Sequence, residues 1–153
     1  MSGYLETTAD KFTFRVALGR YYSPEGVWAL WAQPEGANRV RVGLSDFVQQ
    51  RSGDVAFLSV KPPGTRLQAG DELAEMETVK VTLSVHAPIA GTILEVNEAL
   101  ELTPEVVNKD PYGEGWLAVI EVANWEADRA KLLDARAYQS VMQVQVEQEL
   151  ANQ

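Results

Sequence analysis

Two runs of strict alternation meet at Val79-Lys80 and fix what this part of the chain can become. Before that point Leu73, Glu75 and Glu77 alternate with Ala74, Met76 and Thr78; after it Val81, Leu83 and Val85 alternate with Thr82, Ser84 and His86. A period of two puts successive side chains on opposite faces of an extended chain, so both runs are strands and the chain reverses between them. Lys80 therefore belongs at the tip of a β-hairpin, with Gly70 and Pro88-Ile89-Ala90-Gly91 turning the flanking chain away. Such a tip offers its amine for covalent loading, although on spacing alone a hairpin lysine is more often a solvated surface charge.

The remaining punctuation is that of a mainly β body. Residues 11–18 alternate and are expected to form a strand with Phe12, Phe14, Val16 and Leu18 inward. Residues 19–26 read as a loop, and residues 27–32 and 39–44 as a hairpin around Pro34-Glu35-Gly36. Ser45 can cap a short helix running to Arg51, with Asp46 favourable in its first turn. Residues 55–60, 92–96 and 116–122 are further strands. Thr103-Pro104 is expected to open a brief helix, the hydroxyl capping and the proline at the first helical position. Asn124 is the expected N-cap of one helix containing Leu132, Leu133, Tyr138, Val141 and Met142, with residues 143–149 as its fraying end.

Composition removes several classes of function. At 153 residues there is material for one domain, and a hydrophobic fraction of 46% can bury one core. No apolar run approaches the roughly 20 residues that span a bilayer. Met1-Ser2-Gly3-Tyr4 begins no signal peptide, so a cytoplasmic protein with no membrane partner is expected. With 22 acidic against 13 basic residues and a net charge of −9, nucleic acid is not an expected partner. The absence of cysteine excludes disulfides, thiolate nucleophiles and thiolate metal sites, so any redox chemistry must be imported. His86 is the only histidine and lies on a strand flank; no catalytic residue is assigned. Asp71, Glu72, Glu75 and Glu77 read as solubilising charges rather than a metal site, and Trp28, Trp31, Trp116 and Trp125 as core rather than a binding platform.

Residues 40–138 carry a series of motifs that resembles one family. They are Val42-Gly43-Leu44-Ser45-Asp46, Ser52-Gly53-Asp54-Val55, Glu77-Thr78-Val79-Lys80, Ala87-Pro88-Ile89-Ala90-Gly91, Glu95-Val96-Asn97-Glu98-Ala99-Leu100 and the run from Val107-Asn108-Lys109-Asp110-Pro111-Tyr112 to Gly113-Glu114-Gly115-Trp116-Leu117. In this order they resemble the H protein of the glycine cleavage system, a lipoyl-carrying relative of biotinyl carriers. The resemblance implies a biotinyl/lipoyl-type hammerhead β-sandwich or barrel with short helices and a C-terminal helix. It implies lipoic acid joined covalently to Lys80, attachment by a lipoate ligase or lipoyl transferase, and recognition of Glu77 and Val79 by that enzyme. The chain divides into an N-terminal extension with one strand (residues 1–26), a carrier domain (27–123) and a C-terminal helix (124–153).

The sequence also departs from the H-protein pattern. In those proteins the aminomethyl-loaded arm folds into a polar cleft. The segment that usually reads Ser-x-Glu-Trp or His-Glu-Trp is here Glu25-Gly26-Val27-Trp28, so Val27 replaces a glutamate. Phe47 stands where a histidine is common, and the polar position after the lysine falls at Ser84. An amine-bearing arm is then expected to lose charge partners and meet an aromatic wall. That favours a resemblance to lipoate-binding proteins serving sulfur oxidation with a heterodisulfide-reductase-like complex. A true glycine cleavage component, working with the glycine cleavage enzymes, is the alternative, and dihydrolipoamide dehydrogenase is an expected partner of the arm. An unmodified β-domain serving as an interaction module remains a third possibility.

Overall fold

The computed structural model describes residues 3–31 and 38–152. Asp10, at a φ of 55°, reverses the chain between β1 (Tyr4–Ala9) and β2 (Phe12–Ala17), which pair antiparallel from Tyr4 opposite Ala17 to Ala9 opposite Phe12. Phe14 and Val16 point inward as expected, but Phe12 is 48% and Leu18 41% exposed. Phe12 lies at the turn end of the ribbon, stacked only on Phe14, and Leu18 follows the last paired residue.

The expected loop at residues 19–26 contains β3 (Tyr21–Tyr22), so residues 1–26 hold three strands rather than one. β4 (Val27–Trp31) and β5 (Arg39–Leu44) pair with Val27 opposite Leu44 and Trp31 opposite Val40; the Pro34-Glu35-Gly36 turn lies outside the described residues. Ser45 caps α1 (Asp46–Ser52) by accepting from the Val48 N–H, as its sequence position requires.

β6 (Val55–Val60), β7 (Arg66–Leu67), β8 (Glu72–Thr78), β9 (Thr82–His86) and β10 (Gly91–Val96) follow. Then come α2 (Ala99–Leu102), α3 (Val106–Lys109) and β11 (Ala118–Val122). Thr103 does not open α3. Its hydroxyl donates back to the Ala99 carbonyl at 3.0 Å, ending α2, and α3 starts beyond it.

Two sheets form the body, one ordered β3-β4-β5-β11-β10-β7 and the other β6-β8-β9. Val40, Val42, Ile93 and Ile120 of the first join Leu58, Met76 and Val85 of the second in one buried core, giving the expected β-sandwich. The C-terminal segment makes two helices, not one: α4 (Trp125–Arg129), capped by Asn124, and α5 (Ala135–Ala151), capped by Asp134. Between them Leu133 exchanges two backbone bonds with Tyr22, at 2.7 and 2.8 Å, which requires extended chain there.

Residues 143–149 are helical within α5. Tyr138, Met142 and Val146 of that helix meet Phe14, Val16, Tyr22, Trp28 and Phe47 in a second buried cluster, where Tyr22 and Tyr138 stack at 4.6 Å. The helix and the N-terminal ribbon thus bury each other's apolar faces. Among the described residues no helix is long and apolar enough to cross a membrane.

Candidate functional site

Alternation in β8 buries Ala74, Met76 and Thr78 and leaves Glu75 and Glu77 exposed. Leu73 is also buried because the pairing with β9 shifts register between Glu72 and Ala74. At the tip the chain turns over Val79 and Lys80, with the Thr78 N–H donating to the Val81 carbonyl at 2.8 Å.

The Thr78 hydroxyl organises the turn from beneath. It accepts from the Lys80 and Val81 N–H groups, both at 3.1 Å, and donates to the Ser52 carbonyl at 2.7 Å. The Val79 N–H donates to the Asp54 carbonyl at 3.2 Å. The tip is therefore bonded to the end of α1 and to the α1–β6 connection, so its backbone is fixed while its side chains are free. Val79 is 76% and Val81 48% exposed, and Lys80 is exposed between them.

Gly53 makes this contact possible. It ends α1 at a φ of 90°, a conformation that side-chain-bearing residues avoid, with its N–H on the Gln49 carbonyl at 3.1 Å. The Lys80 methylenes run close beside it.

Asn108 holds the same junction from the other side. Its Oδ1 accepts from the Val55 N–H at 2.9 Å, and its Nδ2 donates to Gln49 Oε1 at 3.1 Å and to the Gly53 carbonyl at 3.0 Å. The Asn108–Trp116 motif is thus the platform for the hairpin, and its later residues lock it in place. A Cβ on Gly115 would lie 2.8 Å from the Val106 and Asp110 carbonyl oxygens. Trp28 Nε1 donates to the Pro111 carbonyl at 3.1 Å. Tyr112 donates its hydroxyl to the Arg15 carbonyl at 2.7 Å, and burial holds that hydroxyl above the ordinary tyrosine range.

Of the residues singled out from the sequence, Glu77 lies exposed on β8 opposite Phe57 and Thr82, and Val79 projects at the tip. Thr78, Gly53 and Asn108 carry no local signal that assigns them to the site. Gly53 and Asn108 stand in quoted motifs, but only the fold brings them against residues 78–80. Trp116 is half-buried, with the Arg41 guanidinium 4.7 Å from its ring centre, whereas Trp28 is fully buried.

Beside the hairpin lies a cleft of about 430 Å³ whose apolar wall includes Val27, Val48 and Leu83, and whose polar wall includes Glu25, Ser84 and His86. Val27 stands in this wall as expected. Phe47 does not: it is buried in the second core, edge-on to Phe14 at 5.3 Å, because α1 turns it away from the cleft. Glu25, whose Oε1 lies 3.0 Å from His86 Nδ1, and Arg51 also line the cleft. An exposed primary amine on a fixed tip, beside a partly apolar cleft, suits an acyl arm that must be both reachable and shelterable.

Residues 20–145 match the family model described as Glycine cleavage H-protein. The chain is 43% identical over 124 residues to a glycine cleavage system H protein of Thermus thermophilus, covering 81% of this chain and 93% of that one. It is 41% identical over 125 residues to a probable glycine cleavage system H protein of Thermococcus kodakarensis, covering 82% and 90%. The crystal structure of a glycine cleavage system H protein from Mycobacterium marinum superposes with a TM-score of 0.70 at 30% identity, covering 80% of this chain and 94% of that one. On the hairpin, the platform motif and these matches, the chain belongs to the glycine cleavage H-protein family, whose members are non-catalytic carriers of a lipoyl group joined covalently to a lysine.

Proposed function

We propose that this chain is the lipoyl carrier of a glycine cleavage system, acylated on Lys80 by a lipoate ligase or lipoyl transferase. The observation that carries the proposal is an exposed Lys80 on a tip bonded to α1 and to the α1–β6 connection, in a chain of this family. A fixed base under a flexible arm raises the effective concentration of cargo at successive partner sites. When attached, the lipoyl group supplies the two sulfurs for thiol–disulfide exchange that a cysteine-free chain lacks.

The chain's own residues bind and orient. Thr78 and Asn108 hold the tip, and Glu77 and Val79 are the side chains an attaching enzyme reads first. Val27 and Val48 keep water from one wall of the cleft, and Glu25 offers a carboxylate to a cationic cargo at the other. The partners are then the glycine cleavage enzymes, with dihydrolipoamide dehydrogenase acting on the dithiol.

A second reading rests on Val27, which is 2% exposed where the H-protein pattern places a glutamate. A cleft with that wall suits a cargo without an ammonium group, as in sulfur oxidation with a heterodisulfide-reductase-like complex. The test has two stages. Intact mass after incubation with lipoate ligase should rise by one lipoyl group for wild type and not for Lys80→Arg; persistently unmodified wild type would leave an interaction module. Glycine–bicarbonate exchange comparable to that of an authentic H protein supports glycine cleavage, and negligible exchange by fully lipoylated protein supports the sulfur pathway.

A further inference from the structure

The cleft beside the hairpin is lined by residues of both charge types. Arg51 is the only lysine or arginine among the described residues that line it, and Glu25 the only carboxylate. Arg51 stands in the last turn of α1, with its guanidinium 5.4 Å from the Phe47 ring centre and 3.5 Å from a carboxylate oxygen of Glu149 on α5. Both members of that ion pair are nearly half exposed, so it is weak and leaves the guanidinium able to turn toward a second anion.

The lysine and the arginine meet at the same end of α1. A Cβ on Gly53 would stand 3.4 Å from Lys80 Cδ and 3.5 Å from Lys80 Cε, so the lysine methylenes pass beside the residue that ends the helix. Consecutive Cα atoms are about 3.8 Å apart, which puts the Arg51 and Gly53 Cα atoms within about 8 Å, inside the reach of an acyl arm continuing from Lys80 Nζ. Leu83, three residues beyond Lys80, lines the cleft with Val27 and Val48. That apolar wall fits the methylenes of a lipoyl arm, and the guanidinium fits an anion at its end.

Tethering selects the occupant, because a group fixed to Lys80 meets the cleft at an effective concentration that a free ligand does not match. The anion such an arm supplies is a thiolate. Opening the dithiolane breaks its S–S bond and takes up two electrons; two protons complete the dithiol, and one of them leaves to solvent more readily where a cation stabilises the charge that remains. We propose that Arg51 is the counter-charge of the reduced arm, lowering the pKa of one of its thiols within the cleft. This rests on lipoylation at Lys80, and it concerns the dithiol on which dihydrolipoamide dehydrogenase acts rather than the cargo. The other titratable groups at the site are Glu149 and Tyr138 on α5, Asp46 on α1 near Tyr138, and Glu25 and His86 across the cleft.

The chain has no cysteine, so thiol alkylation reports the arm alone. Full-length lipoylated protein is reduced with a phosphine, freed of it and treated with iodoacetamide over about pH 7 to 10, a range that brackets an ordinary thiol at about 8.5. Intact mass gives the rate at each pH. The position of the profile along the pH axis is the readout, since its height also reflects the fall of nucleophilicity with pKa. Arg51→Gln should move the profile up by about 0.3–0.5 pH unit, a two- to threefold loss of thiolate at a given pH, the modest factor expected beside solvent. Arg51→Lys should keep the wild-type position, and Glu149→Gln, which frees the guanidinium, should move it down. Added salt should narrow the gap between wild type and Arg51→Gln. Thermal melts establish that each variant is folded, and a merely structural role for Arg51 would not shift the profile.

An Arg51→Gln profile that coincides with wild type, or a wild-type profile that coincides with that of free dihydrolipoamide, would overturn the assignment while leaving Lys80 as the attachment site. Wild-type protein that gains no lipoyl mass would remove the carrier function itself, and the role of Arg51 with it.

Discussion

The Thr78 hydroxyl donates to the Ser52 carbonyl at 2.7 Å, tying the hairpin tip to the last residue of α1. The same oxygen accepts from the Lys80 and Val81 N–H groups. Thr78→Val keeps the shape and removes every one of these bonds, leaving a carbonyl and two amides without their partner. The expected cost is about 1–3 kcal/mol in urea denaturation. Lipoylation of the variant should slow through KM, because a loosened tip must be ordered again by the attaching enzyme.

Asn108 tests the platform. Its side chain joins Gln49, Gly53 and Val55, so Asn108→Ala should destabilise by about 2–4 kcal/mol, more than a single surface hydrogen bond would. Hydrogen exchange should quicken at Val55 and Val79, whose N–H groups depend on this junction. Unchanged exchange at Val79 would mean that the tip is held by Thr78 alone.

The contrast between these two residues tells how far the sequence reaches. Alternation around Val79-Lys80 made the hairpin legible, since periodicity reports local geometry. Ser45, followed by Asp46, likewise announced α1. Nothing local announces that Asn108 touches Gly53, because that contact joins positions far apart in the chain. Thr103 carried a capping signal that its own back-bond to Ala99 redirected, and Asn124 capped only the first of two helices. The tertiary pairing of Leu133 with Tyr22 divides the expected single helix in two, although Asp134 supplied a cap for the second in plain view. Phe12 and Leu18 alternate correctly, but Phe12 opens β2 and Leu18 follows its last residue, so pattern assigned a face that packing did not cover at the strand's ends.

The tryptophans give an internal comparison. Trp28 is fully buried with its indole N–H on the Leu44 and Pro111 carbonyls, so Trp28→Ala should cost about 3–5 kcal/mol. Half-buried Trp116 should cost about 1–2 kcal/mol on the same change. Equal losses in paired denaturation curves would place Trp116 in the core.

Stability should fall in alkali, and the second core sets the window. Burial pushes the Tyr138 hydroxyl from its ordinary 10.0 up to about 12, and burial raises Tyr22 and Tyr112 as well. Between those values the unfolded chain has released the proton that the folded chain still holds, so the unfolded state binds fewer protons and stability decreases with pH. The contribution is complete below about pH 10 and lost as pH rises through about 12. Tyr138→Phe should flatten this decline in urea titrations, while lowering stability at neutral pH through loss of the bond to Ser45 Oγ. An unaltered alkaline slope would assign the decline to Tyr22 and Tyr112.

The cleft decides the cargo. Glu25 is the carboxylate lining it, paired with His86 at 3.0 Å and still largely open to solvent. If the arm carries a cationic amine, that carboxylate stabilises the loaded form, and Glu25→Gln should reduce glycine–bicarbonate exchange by about threefold, a modest factor because solvent screens an exposed pair. Val27→Glu should act in the opposite direction, adding a carboxylate to the apolar wall where a cation could pair with it. A sulfur-bearing cargo without positive charge gains nothing from either group. Exchange that ignores both substitutions while lipoylation is complete would therefore count against a cationic cargo in this cleft, because Val27→Glu places its charge on a buried wall where solvent screens it least.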